Sequence, residues 1–271
     1  MRIYIVTDIE GVSGAVWGGF GLPASGEVPF NTEVMTAEIN TVVRALMDEG
    51  IHDICLHEAH AFQPGVLPPE VAITHGGGGL QDGKFDALFF IGQHGPAGDP
   101  QAVIAHSFNS ACNYKMTLNG LWTGELTYMA AVAGALGTPT VFAAGDHQTL
   151  LEARRNLPAP IEFVRDEYGL SNHSAICRPF RAIERDLKEK TRRALDRIGR
   201  TPPFDLGRIE MRITHRYHGM SEKARRFPFV KWQDNSLVIE ARDMLEADRL
   251  RRQVILARDF WSLAYANRYR T

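Results

Sequence analysis

The sequence predicts an α/β fold in which a mostly parallel sheet is covered by helices, with a smaller C-terminal α+β domain. Two observations lead to this prediction. Short apolar runs, typical of strands that are buried on both faces, alternate with longer segments of helical periodicity. Beyond residue 201 the pattern changes to half-exposed strands, in which apolar and polar residues alternate.

The first part of the chain carries the buried strands and the helices between them. Strands are predicted at residues 3–6, 54–56, 87–91 and 140–144. A helix joins the first two, because apolar residues recur at helical spacing at Met35, Ile39, Val42, Val43 and Leu46. Asn31 is its predicted N-cap and Gly50 its stop. A second helix, residues 126–136, is ended by Gly137. This alternation favours a parallel sheet.

A charged helix and a linker close the first part. Pro179 opens that helix, which ends at Gly199, and residues 200–203 form the linker. A strand with Ile209, Met211 and Ile213 on one face follows, and then a long helix at about residues 245–264. We therefore expect an α/β domain over residues 1–200 and a smaller α+β domain over 201–271.

Composition and charge narrow the class of protein. With 271 residues, 44% hydrophobic and 23% charged, the chain matches ordinary globular proteins. A net charge of -2 provides no general attraction to nucleic acid or to a membrane surface. The three cysteines are widely spaced, and the N-terminus leaves no room for a secretory signal before the first strand. The longest apolar stretch, residues 127–145, is interrupted by Gly137 and Pro139 and predicts no membrane span. We expect a cytoplasmic soluble protein.

Carboxylates and imidazoles follow nearly every predicted strand. In an open α/β sheet, ligands bind at the carboxyl ends of the strands, so these side chains are expected in one crevice. Asp8 and Glu10 are two residues apart, and each such pair can point the same way in extended chain. The residues at the strand ends are Asp8, Glu10, Glu58, His60, His94, Asp146 and His147.

The crowding of these groups predicts a metal site. Each one alone has an ordinary explanation: an aspartate caps a turn, and a histidine hydrogen-bonds in a core. Together, however, carboxylates without a cation repel one another and become protonated. A divalent ion, or a pair bridged by a carboxylate, removes that conflict. Imidazole combined with carboxylate suits zinc, manganese or cobalt better than magnesium or calcium. His106 lies in a loop and Glu125 at a helix start, where ordinary surface or capping roles are open to both.

Two other kinds of site are not favoured. Residues 78–84 have the spacing of a phosphate-binding loop, but Phe85 stands where a serine or threonine belongs. The segment also leads into a strand instead of following one. The sequence contains no Gly-x-Ser-x-Gly motif, so a serine hydrolase of that type is excluded.

Taken together, several separated motifs make the chain similar to a known family. They are residues 4–14, Gly92-Gln93-His94, His106-Ser107, residues 119–126, residues 144–146 and residues 241–247. In this order the motifs resemble those of the zinc-dependent D-aminopeptidases, a family also labelled dipeptide transport proteins.

The resemblance implies two zinc ions per chain, with manganese or cobalt as other options. It implies that Asp8 bridges them, that Glu10 and His60 complete one site, and that His94 and Glu125 complete the other. His106 matches a catalytic histidine beside the metals. The resemblance also implies a homodecamer whose internal channel admits short peptides. Three residues depart from the family pattern: Glu58 and His147 each replace an aspartate, and Gln93 replaces a tyrosine.

The resulting functional hypothesis is an aminopeptidase that removes the N-terminal residue of short peptides, with D-residues as one option. Two alternatives stay open at this point. The first is hydrolysis of another amide or ester on the same metals. The second is a non-catalytic peptide-binding protein, against which His106 speaks, because a binder needs no acid–base group.

Overall fold

The computed structural model describes residues 1–16, 27–58, 66–75, 79–81, 83–109, 113–216, 224 and 226–255, with only the backbone of residues 27–30 and 58. In chain order the elements are β1 (Arg2–Thr7), α1 (Glu27–Asp48), β2 (Asp53–Glu58), β3 (Ala72–His75), β4 (Ala87–Gln93), β5 (Asn113–Leu118), β6 (Leu121–Trp122), α2 (Glu125–Ala135), β7 (Thr140–Asp146), α3 (His147–Asn156), β8 (Glu162–Ser171), β9 (Ser174–Cys177), α4 (Phe180–Leu195), β10 (Ile209–His215), β11 (Val230–Gln233), β12 (Ser236–Ala241) and α5 (Met244–Ile255).

The larger sheet confirms the predicted α/β class. Its strand order is β3-β2-β1-β4-β7-β8-β9, and every pair is parallel except β8 with β9. The four strands predicted from apolar runs are β1, β2, β4 and β7, and they are neighbours in the order β2-β1-β4-β7. Their carboxyl ends therefore share one edge of the sheet, as a common crevice requires.

Helices and a second sheet cover the two faces of the larger sheet. Ile3 and Ile5 of β1 pack in one core cluster with residues of α1 and α4, such as Leu46 and Leu187. Tyr4 and Val6, which point the other way, pack in a second cluster with α2, α5 and the smaller sheet. The alternation follows from the two-residue period of a strand, and it explains why β1 is apolar throughout.

The smaller sheet is antiparallel, with the order β11-β12-β10-β5-β6. In β10, Ile209, Met211 and Ile213 are buried, whereas Glu210 between them is exposed, as predicted. This sheet takes β5 and β6 from residues 113–122, so it draws on both sides of residue 200. The division into domains of residues 1–200 and 201–271 stays a prediction.

The predicted element boundaries differ in a few places. Helix α1 begins at Glu27, before the predicted N-cap Asn31, and ends before Gly50, which has a φ of +78°. Helix α4 ends at Leu195, ahead of the predicted stop at Gly199. Helix α5 is described to Ile255, and its predicted continuation lies outside the described residues. Within the described part of the chain no helix is long and apolar enough to span a bilayer.

Candidate metal centre

The loop after β1 brings Asp8 and Glu10 to the carboxyl edge of the larger sheet, where both side chains are buried. Its backbone is tied to β4: the N–H of Asp8 donates to Ile91 O at 2.8 Å, and that of Gly11 donates to Gly92 O at 2.9 Å. A Cβ on Gly11 would overlap the carbonyl of Gln93, and one on Gly92 would overlap the carbonyl of Asp8. The two chains therefore approach closely because glycine stands at both positions.

His94 follows β4 and is 1% exposed. Its Nδ1 lies 3.0 Å from Gly95 O. A carbonyl only accepts, so Nδ1 carries a hydrogen and Nε2 is the nitrogen that faces the site. That Nε2 lies 3.4 Å from Glu125 Oε1 and 3.5 Å from Asp8 Oδ2. It makes no hydrogen bond to any residue of the described ranges. The orphaned nitrogen is aimed into the site between two carboxylates.

Glu125 is the first residue of α2, and its carboxylate reaches back toward the sheet edge. The backbone N–H of Phe108 donates to its Oε1 at 2.7 Å. Burial by itself favours the neutral acid, but His94 and His106 outweigh it and lower the pKa of Glu125 to about 2. Glu125 is thus ionised at neutral pH and available to a cation.

His106 lies in the loop after β4, next to His94. The two imidazole rings stack with centroids 4.1 Å apart and an interplanar angle of 5°. Nδ1 of His106 donates to Ile104 O at 2.8 Å, again because a carbonyl only accepts. Nε2 consequently faces the carboxylates, 3.6 Å from Glu10 Oε1 and 3.8 Å from Glu125 Oε1.

The loop that carries His106 is held in an unusual conformation. Ile104 and Phe108, two residues to either side, have positive φ values of 46° and 60°. Such values are rare for bulky side chains and costly for a β-branched residue. Asn172, in the turn between β8 and β9, holds the strained end. Its carbonyl accepts from Ile104 N at 2.9 Å, and its Oδ1 accepts from Ala105 N at 2.7 Å.

Burial and charge act differently on the two histidines. Burial alone would lower the pKa of His94, but Glu125 and Asp8 raise it well above its usual value. For His106, burial and then the neighbouring His94 lower the pKa, in spite of Glu10 and Glu125. The negative potential that favours a proton on His94 Nε2 also favours a metal cation there, and binding of the cation displaces the proton.

The donor atoms fit a divalent cation. Asp8, His94 and Glu125 offer ligand atoms within 4.8 Å of one another, and so do Glu10, His94 and His106. Carboxylate oxygens with neutral imidazole nitrogens are the set that zinc uses in catalytic sites. The Nδ1 hydrogen bonds to backbone carbonyls orient both rings, which is the usual support of a metal-binding histidine. The chain's own residues therefore fit the predicted metal.

The structure brings together Asp8, Glu10, His94, His106 and Glu125. His60, the remaining predicted ligand, lies outside the described residues, as does the side chain of Glu58. The cavity over the cluster has a volume of about 280 Å³. Its walls include Asp8, Gln93, His106, Phe108 and Glu125. The roles of these residues as ligands and as acid–base group stay predictions.

The β7 strand end does not join the cluster. Asp146 accepts from the N–H groups of Gln148 and Thr149 and so caps α3, and its Oδ2 accepts from Val103 N at 3.1 Å. His147 instead packs against Tyr168, with ring centroids 4.6 Å apart. Both side chains were expected in the crevice because they follow a strand. That expectation is wrong here, since α3 begins at once and its free N–H groups take up the carboxylate.

Comparisons with known proteins find similar chains. A model of the peptidase M55 family, described as D-aminopeptidase, matches residues 1–252. A D-aminopeptidase of Bacillus subtilis strain 168 is 27% identical over 261 residues, covering 91% of this chain and 94% of that protein. The solved structure of the zinc-dependent D-aminopeptidase DppA from Bacillus subtilis, described as a self-compartmentalizing protease, is 26% identical. The two folds align with a TM-score of 0.85 over 94% of this chain and 96% of the other.

Proposed function

The chain belongs to the peptidase M55 family of D-aminopeptidases, and from this premise we propose that it removes the N-terminal residue of short peptides at a centre that holds two zinc ions. One Bacillus subtilis relative is described as a D-aminopeptidase, and the solved relative DppA is described as a zinc-dependent D-aminopeptidase. They do not favour the other two hypotheses, which are hydrolysis of an unrelated amide or ester and non-catalytic peptide binding.

One observation carries the proposal. Nε2 of His94 is buried, has no hydrogen bond within the described ranges, and lies between oxygens of Asp8 and Glu125. A buried nitrogen in this position without a partner is costly unless a cation or a proton occupies the space. Asp8, His94 and Glu125 would hold one zinc ion. Glu10, Asp8 as the bridge and His60 would hold the other.

Zinc and His106 have different roles in the proposed reaction. Zinc, when bound, supplies Lewis acidity that lowers the pKa of a water molecule toward about 7 and polarises the scissile carbonyl. His106 is held at Nδ1 by Ile104 O, so its Nε2 alone is free to move protons toward Glu10 and the site. There it accepts a proton from the attacking water and returns it to the leaving amine. Its lowered pKa keeps the ring neutral and ready to accept.

The geometry also allows a second role for His106, as a metal ligand. Because its Nε2 lies within reach of Glu10, the same ring nitrogen is placed where a ligand of the second zinc would be. We assign it to proton transfer, and His60 to the ligand position, on the family pattern. The two roles differ in whether loss of His106 releases metal.

Assembly and location complete the proposal. The solved relative DppA is described as self-compartmentalizing, which supports a closed homo-oligomer for this chain. We propose a homodecamer that works in the cytoplasm on short peptides admitted to its interior.

The test is metal content measured beside hydrolysis of a panel of D- and L-aminoacyl anilides. The purified protein is expected to carry up to two zinc ions per chain, to lose activity to a chelator and to regain it with zinc. Preferential turnover of the D-series supports the D-aminopeptidase assignment. A metal-free preparation with full activity overturns the proposal.

A further inference from the structure

A second cavity lies next to the metal centre, between the smaller sheet and α5. Its apolar wall is formed by Ile213, Leu237, Ile239 and Val254, and Phe108 closes one side. The volume is about 170 Å³. Because an apolar cavity of about 150 Å³ holds benzene, this one has room for a single medium-sized apolar side chain.

One charged side chain faces into this apolar space. Arg251 of α5 lines the cavity and is 7% exposed. Its guanidinium lies over the rings of Phe108 and Tyr128, at 4.2 and 4.8 Å from their centroids, and its Nε donates to Tyr128 Oη at 2.7 Å. The two aromatic rings and the hydrogen bond fix the planar group in one orientation, ready to bind a carboxylate.

Two acidic residues, Asp248 and Glu125, act electrostatically on Arg251. Asp248 lies 3.6 Å from Arg251 Nη2, but it also pairs with Arg252 at 2.7 Å and accepts from Tyr128 Oη at 2.7 Å. The neighbouring His215 also lines the cavity, and burial lowers its pKa to about 4, so it adds no charge at neutral pH. Arg251 is therefore the one cation among the described residues of this mostly apolar wall.

Phe108 lies between the two cavities, because it lines both of them. Its backbone N–H donates to Glu125 of the metal centre, while its ring lies under Arg251. Phe108 therefore contacts both Glu125, a proposed metal ligand, and the buried cation Arg251, and Glu125 is one of the charges that act on Arg251. A peptide residue spans at most about 3.3–3.6 Å, so a substrate that contacts both sites at once is a short peptide.

We propose that this cavity binds the C-terminal residue of the substrate, with Arg251 pairing with the terminal carboxylate and the wall of Ile213, Leu237 and Ile239 receiving an apolar side chain. The inference rests on the proposed function and names its substrate class: short peptides with a free C-terminus and an apolar last residue. Specificity for short chains then has a physical source within one subunit, because a longer peptide cannot place its terminal carboxylate on Arg251.

The test compares D-alanyl-D-leucine with its C-terminal amide on the zinc-loaded enzyme. The two probes differ only in the terminal charge. A charge-assisted hydrogen bond contributes about 1.5–3 kcal/mol, so kcat/KM is expected to favour the free acid by about 10- to 100-fold, mainly through KM. The His106→Ala variant is expected to hydrolyse the probes slowly, so calorimetric titration of its zinc-loaded form measures the equilibrium affinity for each probe. The two affinities give the same comparison without turnover.

Two variants assign the preference to a residue. Arg251→Met keeps an unbranched apolar side chain and removes the charge, and it is expected to lose the preference by weakening the free acid alone. Arg249→Met is the matched control, because Arg249 stands on the same helix with an exposed side chain. That variant is expected to keep the wild-type preference.

The outcomes separate this inference from the proposed function. Hydrolysis of both probes with equal kcat/KM overturns the C-terminal subsite and leaves the aminopeptidase in place. If neither probe is hydrolysed, the aminopeptidase fails, and calorimetry decides the subsite: tighter binding of the acid supports it, and equal binding overturns it. If Arg251→Met does not fold, the comparison of the two probes on the wild-type enzyme decides for or against the subsite by itself.

Discussion

The imidazole rings of His94 and His106 lie parallel at 5° with their centroids 4.1 Å apart, and each ring donates its Nδ1 hydrogen to a backbone carbonyl. The two side chains are therefore nearly equivalent in shape and tautomer. They differ in what surrounds Nε2: that of His94 lies between Asp8 and Glu125, and that of His106 faces Glu10. The first position suits a metal ligand and the second suits proton transfer.

Replacing these histidines one at a time is expected to separate metal binding from catalysis. In His106→Ala, zinc content stays near the wild-type value while kcat falls by about 10²-fold or more, because a general acid–base group acts only in the transition state. In His94→Ala, one metal is loosened and zinc content falls together with the rate. Zinc stoichiometry measured beside steady-state kinetics checks both. Loss of zinc from His106→Ala would make that residue a ligand.

Asp8→Ala is expected to lower zinc content below that of any single-ligand variant, because the proposed bridge contacts both ions. Activity should fall with the metal, and added zinc should not restore it fully. Metal analysis after dialysis measures this directly. Equal zinc retention in Asp8→Ala and wild type would show that Asp8 does not bridge.

Asn172→Ala is expected to lower kcat while leaving zinc content unchanged. The side chain holds the N–H of Ala105, so its loss frees one end of the strained loop that carries His106. One neutral hydrogen bond contributes about 0.5–1.5 kcal/mol, which sets the expected loss of rate at about 10-fold or less. Asn172→Asp retains the accepting oxygen and should recover most of the rate.

Ser174→Ala is the control for this experiment, because Ser174 is an exposed residue directly after the same turn. A fall in kcat of equal size in this variant would assign the effect to the turn in general and remove the specific role of Asn172.

A buried acidic cluster predicts how stability depends on pH. Glu38 of α1 lies near Asp166 and Glu167 of β8, and all three are fully buried. Burial, then repulsion by Glu167, raises the pKa of Glu38 from its ordinary 4.5 to about 8, in spite of a hydrogen bond from Ser13 N. Burial raises the pKa of Glu167 to about 7 and that of Asp166 well above its ordinary value, although Arg178 opposes the latter.

Between pH 5 and 8 the folded state therefore holds protons that the unfolded chain releases. These three groups are therefore expected to make the free energy of unfolding fall as pH rises through this window. Their contribution is largest at the acid end of the window. In Glu38→Gln the fall should be smaller. Urea unfolding at about pH 5.5 and pH 8.5 measures it. Glu33→Gln, an exposed position on the same helix, should behave as the wild type.

A closed homo-oligomer of about ten chains is expected in solution, on the analogy of the self-compartmentalizing relative. Light scattering coupled to size-exclusion chromatography measures the mass. A stable and active monomer would show that control of access by an internal channel does not extend to this chain.

Part of this site could be predicted from the sequence by topology alone. Asp8, Glu10 and His94 follow strands that are neighbours in one parallel sheet, so the sheet edge brings them together. Glu125 and His106 stand on a helix start and in a loop, where no periodic pattern fixes the position of a side chain, and the family resemblance was needed. Asn172 and Arg251 could not be predicted, because they reach the site only through packing between segments distant in sequence.

Two glycines at the sheet edge fix the strand side of the metal centre, whereas the loop side does not depend on them. The distance between Asp8 and His94 is set by backbone contact through Gly11 and Gly92, where no side chain can be inserted. Glu125 and His106 are carried by a helix start and a loop, so their positions are set by other contacts, such as those of Asn172 with the backbone of Ile104 and Ala105. A change of metal or of reaction during evolution, or in the laboratory, would therefore have to be made on the loop side, with the strand side retained as a constant.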